Sequence, residues 1–351
     1  MSDDILFDRR GAAGIVVLNR PKALNAVTHG MVRALRTQLD AWADDVAVTR
    51  VILAAAGERA FSAGGDIRAL YDLGRAGRQD EALTFFREEY ELNALIKRFR
   101  KPYVSMIDGI VMGGGVGLSV HGSHRVAGDR YQFAMPEVSI GFFPDVGATW
   151  ALPHFPGESG AYLALTGERL AATDAVPFGA ATHRVRSDRF ADLLDALCGN
   201  VSVDAVLAAF SERPAEGPLA PHCAALDRLF ASDRVEDVLA ALDNEVQCDS
   251  PDAQWAGERA STIRSKCPLS LKIALAQMRQ GRDKSFEECM RMEFRIVSRI
   301  VYGHDLYEGV RAVIVDKDNS PRWEHSDLAA VSNDEIARHF APLGEKELVL
   351  P

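Results

Sequence analysis

The chain has 351 residues, is 47% hydrophobic and 26% charged, and carries a formal net charge of −10 at pH 7. That balance fits a soluble globular enzyme with a large core, either one big domain or one domain with an appendage. The acidity and the lack of any Lys/Arg-rich run argue against a nucleic-acid binder, and no apolar run approaches the ~20 residues of a membrane-spanning helix. The N-terminal "MSDDILFDRR" is acidic and has no apolar stretch, so neither a secretion signal nor a transit peptide is expected. "GIVVLNR" (14–20) and "RVILAAAG" (50–57) are short β-branched apolar runs ending near turn residues, and they predict buried strands. Between them Met31, Leu35, Leu39 and Trp42 share one helical face. "YVSMIDG" (103–109) and "HRVAG" (124–128) predict further strands, and 113–122 opens on glycines before a short helix. Strands alternating with helices indicate an α/β class with mainly parallel pairing.

Beyond about residue 185 the texture is Ala/Leu-rich and helical in period: "RFADLLDALCGN", "VDAVLAAFSE", "DRVEDVLAALDN", then a helical block over about 268–302. The tail predicts a short helix capped by Ser332 with Glu335 as a capping box. The cysteines Cys198, Cys223, Cys248, Cys267 and Cys289 are scattered, with no CxxC pair and no zinc-type spacing. Such a set suits reduced thiols, and with the N-terminal segment it leads to the expectation of a cytoplasmic protein. No metal site is expected.

Chemistry can sit in three places. "MGGGVGLSV" (112–120) and "RAFSAGGDI" (59–67) each put glycines after a strand, where a ligand can approach backbone N–H groups. Tight packing explains either loop equally well. Taken together they offer a pair of donors of the sort that a thioester oxyanion requires. The first loop lacks the Lys-Ser/Thr of a Walker loop and the GxGxxG spacing, and GxSxG is absent, so the usual serine hydrolase apparatus is not encoded. In "FFREEYELNALIKRFR" (85–100), Phe85, Glu89, Leu92, Ile96 and Phe99 recur at helical steps, which leaves Glu89 in an apolar stripe. It either pairs with a nearby arginine or serves a site. Glu137 and Asp145 lie in "FAMPEVSIGFFPDVGATW" (133–150) among apolar and turn residues, where a carboxylate is costly unless used or paired. Phe142, Phe143 and Trp150 are read as core, with the lining of a pocket as the other use.

These motifs in order, "NRPKALNA", "FSAGGDI", "GGGVGLS" and "FAMPEVSIGFFPDVGA", resemble the crotonase (enoyl-CoA hydratase/isomerase) superfamily over about residues 5–185. Within it, "FFREEYELN", "GGGVGLSVHG", "MPEVSIGFFPDVGA" and "EGVRAVIVDKDNSPRW" resemble the 3-hydroxyisobutyryl-CoA hydrolase family over nearly the whole chain. The resemblance implies a spiral of ββα turns (5–185) forming the acyl-CoA-binding core. A helical region (186–351) follows, whose tail completes the CoA site. It implies hydrolysis of a short β-hydroxyacyl-CoA, such as 3-hydroxyisobutyryl-CoA in valine breakdown, with CoA as part of the substrate and no cofactor. Gly65 and Gly114 match the oxyanion donors, and Glu137 matches the second hydratase glutamate. Glu89 and Asp145 match the further acids of the hydrolases, with Glu89, Gly114, Glu137 and Asp145 contacting substrate. The first hydratase glutamate would align with Gly117 and is missing here, which weighs against hydration. Lys22, Arg68 and Lys317 are candidates for the nucleotide end of CoA, a solvated surface charge being the other reading for each. The alternatives are an enoyl-CoA hydratase or isomerase and a non-catalytic acyl-CoA-binding protein. The expected partner is the acyl-CoA alone, with no nucleic acid and no membrane. Homo-oligomers are the family habit, although the extra helices could cover the usual trimer surface.

Overall fold

A computed structural model describes residues 3–350 of the chain. They form two compact units, each assembled from three separated stretches: 3–66, 91–134 and 169–220 in the first, 67–90, 135–168 and 221–350 in the second.

The first unit holds ten strands: β1 (Ile5–Arg10), β2 (Ala13–Leu18), β3 (Arg50–Ala55), β4 (Ala60–Ser62), β5 (Tyr103–Ile107), β6 (Ile110–Met112), β7 (His124–Ala127), β8 (Gln132–Ala134), β9 (Leu170–Ala171) and β10 (His183–Arg184). The larger sheet runs β1-β2-β3-β5-β7-β10 and the smaller β4-β6-β8-β9. β1 and β2 make an antiparallel hairpin, and the remaining pairings of the larger sheet are parallel. In chain order two strands and a helical turn recur: β3, β4 and Ile67–Arg75; β5, β6 and Gly114–Ser119; β7, β8 and the 3₁₀ turn Glu137–Ile140. The first strand of each set enters the larger sheet and the second enters the smaller. The expected α/β spiral of ββα turns, followed by a helical C-terminal region, is therefore what the chain forms.

Of the predicted strands, β2, β3 and β5 are buried along nearly their whole length, as parallel strands are, while His124 and Arg125 of β7 are only partly buried. Ile15, Ile52, Val104, Met106 and Val126 pack with Leu193 and Leu197 of the helix Phe190–Leu197 and with Val203 and Leu207 of the helix Val203–Phe210. Each such side chain contributes about 1.5–3 kcal/mol by leaving water.

The second unit is largely helical. The block expected over 268–302 is two helices, Pro268–Gly281 and Phe286–Ile300. Ser285 and Glu288 start the second with a full capping box. At the tail helix Asn333–Phe340, Ser332 accepts from the Glu335 N–H, but the Glu335 carboxylate pairs with His325 at 3.1 Å instead of turning back to complete the box. No helix among the described residues is long and apolar enough to cross a membrane.

Candidate active site

In the first unit the two glycine loops come together. A Cβ placed on Gly64 would lie 3.4 Å from the Met112 carbonyl oxygen and 3.7 Å from the Gly114 nitrogen. Gly65 bridges Val27 in parallel fashion, and that bridge uses the Gly64 carbonyl and the Asp66 N–H, leaving the Gly65 N–H outside it. Gly114 opens the helix Gly114–Ser119, where the first N–H groups have no partner within the helix. The loops approach closely because position 115 has no side chain: a Cβ there would sit 2.7 Å from the Ser62 carbonyl oxygen. Ser62 is itself fixed, donating from Oγ to the Asn25 carbonyl at 2.9 Å and accepting from the Gly64 N–H.

In the second unit the structure gathers acids. Glu89 on the helix Gln79–Arg98, Glu137 at the start of its 3₁₀ turn, Asp145 and Glu293 on the helix Phe286–Ile300 are all buried. The neighbouring charges that act most strongly on Glu89, Glu137 and Glu293 are other acids of the same cluster. Burial raises the pKa of Glu89 well above the usual carboxylate range, and Asp145 and then Glu293 raise it further. Glu137 rises for the same reasons, opposed by its own backbone. Burial pushes Asp145 up to about 7, against the hydrogen bond from Tyr90 that favours its ionised form. Glu293 is pushed up to about 8 by burial and then by Asp145, while the Gly147 and Thr149 N–H groups oppose the rise. Burial and mutual repulsion thus favour the protonated forms in this cluster to higher pH than in isolated carboxylates. Glu89 Oε1 and Glu137 Oε2 have no hydrogen-bond partner among the described residues, so they are the atoms with unused capacity toward a ligand.

Two members of this cluster were not anticipated. Tyr90 adjoins Glu89 and donates to Asp145 Oδ2 at 2.8 Å. Glu293 accepts from the N–H groups of Gly147 at 2.7 Å and Thr149 at 2.9 Å. A sequence signal existed for Glu293: it interrupts an apolar stripe of Phe286, Met290, Val297 and Ile300, as Glu89 does in its own helix. Of the aromatic residues, Phe142 stacks on Phe86 at 5.6 Å, Phe143 is buried, and Trp150 stacks on His154 at 4.5 Å.

The cationic candidates are dispersed. Lys22 lies exposed on the 3₁₀ turn Pro21–Ala23 of the first unit. In the second unit Arg68 is exposed and paired with Asp72 at 3.1 Å, and Lys317 is exposed in the segment after the π-helical turn Arg311–Val315. Among the described residues no group of three or more His, Cys, Asp or Glu side chains is arranged to hold a metal ion.

A family model described as enoyl-CoA hydratase/isomerase matches residues 13–340. A Danio rerio protein named 3-hydroxyisobutyryl-CoA hydrolase, mitochondrial, is 44% identical over 357 residues, covering 99% of this chain and 92% of that one. The Homo sapiens protein of the same name is 40% identical, covering 99% and 91%. Among solved structures, a carnitinyl-CoA dehydratase from Mycobacterium thermoresistibile superposes with a TM-score of 0.93 at 42% identity, covering 99% of both chains. The names of the hydrolase relatives correct one expectation. They are mitochondrial, against the cytoplasmic location read from the sequence. The five cysteines are free thiols, and reduced thiols carry no information that would separate the two locations.

Proposed function

Because the chain belongs to the enoyl-CoA hydratase/isomerase family, we propose that its buried acids serve acyl-CoA thioester hydrolysis, with 3-hydroxyisobutyryl-CoA as substrate and 3-hydroxyisobutyrate and CoA as products. The carrying observation is the collection of Glu89, Glu137 and Asp145 in one buried cluster, beside full-length similarity to proteins named as hydrolases of that ester. In this reading the step belongs to valine breakdown.

The thioester oxygen accepts from the Gly65 and Gly114 N–H groups, which stabilise the oxyanion as the carbonyl carbon is attacked. Glu137 either attacks that carbon itself, giving a mixed anhydride that water then cleaves, or takes a proton from an attacking water. In both routes the C–S bond breaks and the sulfur leaves as thiolate, taking a proton from the acid cluster. Raised pKa values make that donation feasible near neutral pH. Asp145 binds the β-hydroxyl or orients water, and Glu89 lines the same polar end. Lys22, Arg68 and Lys317 are proposed contacts of the nucleotide, and assembly into a homo-oligomer goes with the family.

Glu137→Gln is the direct test. Release of thiol from 3-hydroxyisobutyryl-CoA should fall about 10²–10⁴-fold while CoA-ester binding persists; near-wild-type hydrolysis would refute the assignment. A single turnover in ¹⁸O-water separates the two routes, since label enters Glu137 only through the anhydride. One full-length structural relative is named a dehydratase, which favours a second reading, hydration or dehydration of an enoyl-CoA. Gly117 disfavours it, because the acid that would share the water with Glu137 is missing. Loss of enoyl absorbance without thiol release would establish that reading instead.

A further inference from the structure

The turn that carries Asp145 is backbone-strained. Val146 has a φ of +54° and Gly147 a φ of +88°, so two successive residues are left-handed just before the helix Ala148–Ala151. For glycine this conformation is free of penalty. For a β-branched residue it is an outlier costing about 1–3 kcal/mol, and it persists only where its surroundings enforce it.

Three buried tethers surround this turn. The Ala148 N–H donates to the Asp145 carbonyl at 2.9 Å, and Gln277 Nε2 donates to the Pro144 carbonyl. Glu293 supplies the third: Oε2 takes the Gly147 N–H at 2.7 Å and Oε1 the Thr149 N–H at 2.9 Å. Glu293 is fully buried, a placement in which an acid is disfavoured unless both oxygens are engaged. Two converging N–H donors, one on each oxygen, favour the carboxylate form of Glu293 against the rise that burial causes, because a carboxylate is acceptor-only and offers two oxygens in one plane. An amide has one oxygen and would turn its NH₂ toward the second donor. At the far side of the turn, Tyr90 donates to Asp145 Oδ2, so backbone and side chain of the turn are held by different elements of the same unit.

We propose that Glu293 is a positioning residue for the reaction: by gripping the Gly147 and Thr149 N–H groups it fixes the left-handed turn and so sets the position of Asp145. This rests on the reading that Asp145 acts in hydrolysis. Glu293 itself touches the turn and needs no contact with substrate.

The test is Glu293→Gln, with Asp145→Asn and the double variant alongside, each assayed per folded molecule with 3-hydroxyisobutyryl-CoA. The expected result is a 10–100-fold loss of kcat in E293Q with KM within about 3-fold, since a displacement near 1 Å can cost about 10² in rate. In the D145N background the same change should cost less than about 3-fold, because the residue it positions has gone. Val146→Gly removes the strain that the clamp holds, so V146G/E293Q should recover at least about 5-fold over E293Q. Wild-type kcat in E293Q while D145N is impaired overturns the inference, and so does a full E293Q loss in the D145N background. Wild-type turnover in D145N instead refutes the role of Asp145, which separates the two failures. Where E293Q does not fold, the comparison is V146G against V146G/E293Q, with a smaller loss of kcat, about 2–20-fold, expected and an unchanged kcat overturning the inference. If that double variant also fails to fold, Glu293 is a stability residue and the inference falls.

Discussion

The Tyr90 hydroxyl donates to Asp145 Oδ2 across 2.8 Å, both groups buried, and this bond holds down the pKa of an acid that burial otherwise raises. Tyr90→Phe removes it and leaves the ring in place against Phe86 and Phe294. A hydrogen bond to a charged group is worth about 1.5–3 kcal/mol, so the pKa of Asp145 should rise by about one to two units. The acid limb of the kcat profile should then move to higher pH. An unmoved limb would show that Asp145 does not titrate in the reaction.

Asp145→Asn should distinguish selection of substrate from activation of water. If Asp145 holds the β-hydroxyl, kcat/KM should fall about 10–100-fold more for 3-hydroxyisobutyryl-CoA than for isobutyryl-CoA, the loss expected when a paired polar contact is broken. Equal losses on the two esters would place Asp145 with the water.

The raised carboxyls make stability fall with increasing pH. In the unfolded chain Glu89 titrates near ~4.3; folded, it keeps its proton to a much higher pH. Below the unfolded value both states hold the proton, and the contribution is fully present. As pH climbs toward the folded value the unfolded state binds fewer protons than the folded state, and stability is lost. Glu89→Gln should therefore raise stability by on the order of 1–3 kcal/mol at pH 8, with a smaller gain near pH 4. Denaturant melts at the two pH values would check both the sign and the trend.

Gly115→Ala should injure both fold and rate. The added methyl meets the Ser62 carbonyl at 2.7 Å, and such overpacking costs about 1–3 kcal/mol. It also pushes apart the loops carrying the Gly65 and Gly114 N–H groups, so kcat should drop by about 10-fold or more. Gly30→Ala is the control. In the helix His29–Asp44 its Cβ meets only Thr28 Oγ1, at 3.8 Å, and helix propensity should add about 0.4–1 kcal/mol. A destabilised Gly30→Ala would mean that these clearances do not govern glycine substitutions here.

The long parallel strands were legible because two-sided burial writes itself as continuous apolar runs, as in β2, β3 and β5. β4, β6 and β8 have three residues each, too few to carry a period, and β1 is largely exposed and polar, so neither kind announced itself. Glu89 stood out because it breaks an apolar stripe. Tyr90 did not: an aromatic residue on a helix buried on several sides has no pattern to violate, and only its bond to Asp145 marks it. Glu293 sits in "EECMRMEFR", where neighbouring charges disguise it as solvated surface. Its two N–H partners are distant in sequence, and proximity of that sort is a product of folding.

That separation has a consequence for synthesis. Gly147 and Glu293 are 146 residues apart, and at about 5–20 residues per second the ribosome takes roughly 7–30 s to travel between them. Throughout that interval the Asp145 turn lacks its clamp, so nothing from Glu293 holds Val146 in the left-handed region. A nascent chain stalled before the helix Phe286–Ile300 would carry both glycine loops, Glu137 and Asp145, but not the carboxylate that accepts from the Gly147 and Thr149 N–H groups. On the proposed role of Glu293 the enzyme would in this sense be timed: hydrolytic competence would arrive with the helix Phe286–Ile300, not when the acids of the turn are translated.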